Sequence, residues 1–445
     1  MNIGPRPNGD PHGSHSAGPH RETWSSRNPR PGLSPQSTSA PSPKRVRRLR
    51  DFVALVWLLT AIIVVPLNHL IPASDWLLIH LIVLGALTHS AMVWSEYFAH
   101  TLLKTRATPH EERAQDRRIG VLGVGALLVL IGFPADQWLI VLAGALFVAA
   151  AMTWHIAHLL TKFRAALPGR FRIVVRYYVT AACLLPIGAT FGVVLAFGVN
   201  DEWRGRLMIT HMVFNLLGWI GLTVIGTLLT FWPTMIRARM DPHAEKYARQ
   251  TYPLFLLGIA IMSAGALSGI QELSLAGLAV YAVGLVWWGR SLVAPLKQKG
   301  LVEFAPTSVG ASMLWSAVGL VWVGYLLATS ASWPEVTDKL PTVAAVFVVG
   351  FSLQLLLGAL SYLIPMLVGR GPAMTRAAQG PLNAGAAFRI IVPNMALLVW
   401  LLPVPDMVRH AMIALALITF ASFIPALIVA IRAALAAKEK SHERG

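Results

Sequence analysis

The residues with the most chemistry to offer in this chain are histidines set inside long apolar runs. Neutral imidazole is the cheapest nitrogen ligand to bury, and it also exchanges protons near neutral pH. One run reads HLIVLGALTHSAMVWSEYFAH and carries His80, His89, Glu96 and His100. A second ends MTWHIAH, with His155 and His158, and a third begins HMVFNLLGWIG, with His211 and, one helical turn on, Asn215. On a helix at about 100° per residue, His89, Glu96 and His100 fall within roughly 40° of one another, while His80 lies about 180° from His89. The stripe His89–Glu96–His100 suits a proton path or a metal, with interhelical hydrogen bonding as the alternative. His80 and His211 each lie about one turn from the same end of their runs. Two imidazoles at one depth on separate helices can hold one metal ion or both axial positions of a haem. His89 and His155 are further ligand candidates, whereas His158 is placed near the inner surface, outside that set.

Weaker signals surround these. Methionines sit three residues from histidines in His89/Met92, Met152/His155 and Met208/His211. Thioether with imidazole is a copper-binding set, but methionine is also ordinary packing material. There is no CxxC, HExxH, GxSxG or phosphate-binding glycine loop. Cys183 is the single cysteine, which excludes a disulfide framework.

The elements that must position these groups are legible in the composition. The chain has 445 residues, 55% hydrophobic and 13% charged, with a mean hydropathy of +0.60. Soluble proteins carry roughly 25% charge, so a soluble enzyme is excluded, as is disorder over most of the chain. The net charge of +17 does not indicate nucleic acid, because the basic residues form short clusters between apolar runs, as the positive-inside rule produces. Twelve runs are visible: Phe52–Leu70, Trp76–Leu103, Ile119–Phe133, Trp138–Leu160, Ile173–Phe197, Leu207–Trp232, Tyr252–Ile270, Leu273–Trp288, Val309–Ala328, Val343–Val368, Ile390–Leu402 and Met407–Ile431. Most reach the ~17–25 residues that cross hydrocarbon as helix; the third, eighth and eleventh are short. The short alternating segments of a membrane barrel are missing. The predicted fold is therefore an all-α bundle of about twelve transmembrane helices over residues 51–435, in contact with the lipid bilayer.

Residues 1–50 read differently. They hold nine Pro, eight Ser and five Gly without apolar periodicity and are expected to be a disordered, basic, cytoplasmic tail. His12, His15 and His20 are read as solvated tail residues. Arg47-Arg48 resembles a twin-arginine signal only loosely, since no small-residue cleavage site follows. Residues 436–445 are expected to form a short cytoplasmic tail. With the N-terminus inside, all the Lys and Arg except Arg204, Arg206, Lys339 and Arg409 fall on the cytoplasmic side. That asymmetry predicts a plasma-membrane protein with both termini in the cytoplasm.

Four stretches carry a family resemblance: HLIVLGALTHSAMVWSEYFAHTLL, RYYVTAACLLPIGATFGVVLA, HMVFNLLGWIGLTVIGTLLTFWPTMIRARM and LQLLLGALSYLIPMLVGRGP. They resemble an actinobacterial membrane module often fused to a cupredoxin-type multicopper oxidase or copper nitrite reductase and labelled "copper oxidase". In architecture the module is similar to the twelve-helix haem–copper oxidase subunit I and to NnrS-type proteins of nitric oxide stress. The resemblance implies a redox-associated module that binds haem or copper, with an oxidase or nitrite reductase as partner. It assigns ligand-bearing helices only to His80 and His211. The departures are specific. Asn215 stands where such oxidases carry a tyrosine, and the seventh and tenth runs contain no histidine. A dioxygen-reducing haem–copper centre is therefore not expected, and whether the chain is an enzyme stays open. Two other readings remain: a transporter of copper or a small solute, and a cofactor-free anchor or assembly subunit.

Overall fold

A computed structural model describes residues 49–167, 169, 171–368 and 372–442. The expected tail lies outside these residues except for Leu49 and Arg50, as do His12, His15 and His20. Arg50 belongs to the bundle: it is buried and bonds Asp116 at 2.9 Å and the Tyr97 hydroxyl at 3.3 Å.

Among the described residues every regular element is helical. The helices are α1 Val53–Leu70, α2 Ser74–Leu102, α3 Pro109–Gly132, α4 Trp138–Ala165, α5 Arg172–Phe197, α6 Asp201–Ile236 and α7 Ala244–Ser268. They continue with α8 Gln271–Lys299, α9 Phe304–Thr329, α10 Trp333–Leu367, α11 Ala373–Asn383, α12 Ala386–Trp400 and α13 Asp406–Glu439. The last helix runs on to His442, so most of the expected C-terminal tail is helical.

Ten of these helices are long and apolar enough to cross a membrane, or eleven if α11 and α12, bent by 44°, form one broken span. Each of the twelve apolar runs falls on a helix, passing its end by two residues at most, but α3, like α11 and α12 taken singly, falls outside the ten. Its apolar part begins only at Ile119, after Glu111, Glu112, Arg113, Asp116, Arg117 and Arg118. That part is about 21 Å long at 1.5 Å per residue, short of a hydrocarbon core of about 30 Å. Even so, α3 lies antiparallel to α4 from end to end. Gly132 faces Val141, Gly125 faces Gly144, the Arg118 guanidinium sits 5.7 Å from the Trp154 ring, and Glu111 pairs with Lys162. A Cβ on Gly125 would stand 2.8 Å from the Gly144 carbonyl oxygen, so glycine there permits the two backbones to touch. The charged end of α3 is anchored by a capping box, in which Thr108 and Glu111 satisfy one another's backbone N–H groups.

The interior is closed by large side chains whose polar ends are satisfied. Trp219, Tyr177, Tyr178 and Phe255 are almost fully buried. The Tyr177 hydroxyl donates to the Ala248 carbonyl at 2.8 Å, and that of Tyr281 donates to Leu217 at 3.1 Å. The outside is apolar too: Val286, Val321 and Ile418 are exposed by 76%, 74% and 69%. A surface of that character is matched to lipid rather than to water.

Candidate functional site: a histidine-lined cavity

The first halves of α2, α6 and α10, together with α3, α4 and α5, surround a cavity of about 500 Å³, within the ~300–1,000 Å³ usual for ligand sites. Its walls are mainly Val, Leu, Ala and Phe, with Asp75 and Arg204 among the lining residues from the first turns of α2 and α6. His80 and His211 both line it, and their ring centroids lie 6.3 Å apart with the planes inclined at 38°.

Both imidazoles are held by backbone. His80 Nδ1 donates to the Trp76 carbonyl at 2.8 Å, and the ring stacks on the Trp76 indole at 3.9 Å, which stacks in turn on Phe133. His211 Nδ1 donates to the Gly188 carbonyl at 2.9 Å. A carbonyl can only accept, so each Nδ1 carries the proton and each neutral ring keeps its lone pair on Nε2. That arrangement is typical of metal-bound histidine. Gly192 lets the His211 ring lie close, since a Cβ there would stand 2.9 Å from its Cε1. Asn215, one helical turn on, donates to the His211 carbonyl at 2.8 Å.

Three of the six helices around the cavity, α2, α6 and α10, contain a π-helical stretch: Leu81–Leu87, Val213–Gly221 and Val346–Leu353. The first begins immediately after His80 and the second two residues after His211. Each lines the cavity, through Val83 and Leu84, Leu216 and Trp219, and Phe347 and Ser352. A π turn widens the helix by one residue, and such turns cluster at functional sites. Here glycines in two of them admit bulky neighbours. Trp57 packs on Gly85, where a Cβ would come within 2.9 Å of the indole, and Trp315 packs on Gly350, where it would come within 2.6 Å. Trp219 closes the inner side of the cavity and donates from Nε1 to Thr88 Oγ1 at 3.1 Å.

The other histidines lie elsewhere. His89 faces away from the cavity. Its Nδ1 donates to the Gly85 carbonyl at 2.8 Å, its ring lies 5.6 Å from Trp57, and its buried Nε2 has no hydrogen-bond partner. His155 is fully buried with Nε2 3.1 Å from Ser95 Oγ and Nδ1 3.9 Å from Glu96. The stripe predicted on α2 therefore divides: His89 packs between α1 and α3, whereas Glu96 and His100 turn toward α3 and α4. Glu96 is 2% exposed and accepts from Arg118 Nη2 at 2.6 Å. His158 Nε2 lies 3.1 Å from Glu96 Oε1, so His158, which the sequence left outside the ligand set, belongs to this cluster.

Sequence reading missed Arg118, which sits at the edge of a charged segment, and it missed the π turns. Gln354 exchanges two hydrogen bonds with Asn394 of α12, at 3.0 and 2.9 Å. Neither a protein-family model nor a curated protein matches the chain.

Proposed function

We propose that this chain is a multi-pass redox module of the plasma membrane that holds haem or copper through His80 and His211. The observation that carries this reading is the pair of imidazoles lining one cavity. Two imidazoles that would hold one metal ion between them need ring centres within about 6.5 Å of one another. The observed 6.3 Å fits, and the backbone-held Nδ1 protons leave Nε2 as the ligand atom on both rings. Either group would supply one-electron transfer when bound. The chain's own part is orientation by the Trp76 and Gly188 carbonyls and exclusion of water by the apolar walls. The lack of histidine on α7 and α10 argues against dioxygen reduction. The resemblance noted above supports a cupredoxin-type oxidase or nitrite reductase as redox partner, in copper or nitric oxide metabolism.

We count α3 as a span, because it accompanies α4 over its whole length and because Glu96 neutralises Arg118. With the bent pair as one span, the total is twelve. Both termini then lie on one side, and the distribution of basic residues puts that side in the cytoplasm.

The test is an absorption spectrum and a metal analysis of the purified full-length protein. A Soret band or one copper per chain is expected, lost in His80→Ala and His211→Ala and kept in His243→Ala, whose side chain is 65% exposed. A cofactor retained in His211→Ala would overturn the ligand assignment. A colourless, copper-free protein after haem and copper supplementation would favour the transporter or anchor readings.

A further inference from the structure

The Glu96 cluster lies outside the cavity and independently offers ligand geometry. One atom each from Glu96, His100 and His158 converge within 4.8 Å of one another. Two imidazole nitrogens aim at a single carboxylate oxygen, Glu96 Oε1: His158 Nε2 at 3.1 Å and His100 Nε2 at 4.0 Å. The second is too far to share a hydrogen bond. His100 Nε2 is buried without a hydrogen-bond partner, although its ring is fixed by a 2.8 Å bond between Nδ1 and Thr105 Oγ1. The His100 and His158 ring centroids are 5.8 Å apart at 57°, close to the spacing of two imidazoles that share one ion at a wide angle. All three side chains are at least 88% buried, with exposures of 3%, 12% and 10%.

We propose that Glu96, His100 and His158 form a second, separate site for a divalent first-row transition metal, of the two-histidine, one-carboxylate type. Arg118 is a positioning residue. It holds Glu96 through Oε2 at 2.6 Å and leaves Oε1 for the ion. Thr105 plays the same part for His100 by occupying Nδ1. A cation between the three ligands would satisfy His100 Nε2. Three protein ligands would leave the remaining positions to water.

The site is independent of His80 and His211, and the experiment keeps the two apart. Full-length protein in detergent, stripped with chelator, is titrated with Co2+ and read by its visible d–d absorption and by bound metal per chain. One equivalent is expected in wild type and in the double variant His80→Ala/His211→Ala. It is expected to be lost in His100→Ala and in His158→Ala. Thr105→Val, in a surface turn, tests positioning without touching a ligand and should weaken binding about 10–100-fold. Binding that survives both His100→Ala and His158→Ala, or no Co2+ bound by the wild type, would overturn the proposal. Glu96→Gln is a poor sole test because it leaves Arg118 uncompensated, so the histidine variants carry the result.

Discussion

Arg118→Met tests how α3 is held in the bundle. The substitution keeps an unbranched side chain but removes the guanidinium, which pairs with Glu96 and lies 5.7 Å from the Trp154 ring. The two side chains are 1% and 3% exposed, and the contact is 2.6 Å. Unit charges about 4 Å apart attract by roughly 4 kcal/mol at an effective dielectric constant of 20. Removing one member of a buried pair costs about 3–5 kcal/mol, because the other stays buried and unpaired. The single variant should therefore lose about 3–4 kcal/mol. Glu96→Gln/Arg118→Met removes the orphan charge as well and should recover most of that loss, giving a coupling energy above about 2 kcal/mol. The assay is reversible unfolding of the detergent-solubilised protein by SDS, in the presence of chelator. A loss below about 1 kcal/mol, or a double variant as unstable as the sum of the singles, would refute the reasoning.

Three further outcomes are expected. Gly144→Val should destabilise by about 1–3 kcal/mol, since a Cβ there meets the Gly125 carbonyl oxygen at 2.7 Å, whereas Gly289→Ala, with open space around it, should be neutral or slightly stabilising in the same unfolding assay. Thr108→Ala removes the capping box of α3 and should cost about 1 kcal/mol; hydrogen exchange should quicken in its first turn and nowhere else. Reporter fusions at Gly9 and Gly445 should both report cytoplasm, and an external signal from either would mean that α3, or the bent pair α11–α12, does not cross.

What the sequence determined by itself was everything that depends on local period and polarity. Apolar runs of spanning length place the chain in a membrane, and each run falls on a helix because a backbone among lipid tails must satisfy its own hydrogen bonds. The opposition of His80 and His89 follows from helix geometry, and the shared depth of His80 and His211 from their distance to the ends of their runs. Tertiary structure decided the partners. Arg118 reads as one more charge in a hydrophilic segment until Glu96 meets it from a neighbouring helix. His158 stands outside the ligand set until α4 brings it to Glu96 on α2. The separation of His89 from Glu96 is invisible to a helical wheel, because three different neighbours, α1, α3 and α4, divide one face of α2 among them. The π turns beside His80 and in α10 depend likewise on what packs there: Gly85 and Gly350 tolerate any helix, and only the indoles of Trp57 and Trp315, brought from elsewhere in the chain, fill the space above them. Side-chain direction is local, but which group stands opposite is set by packing between residues far apart in the chain.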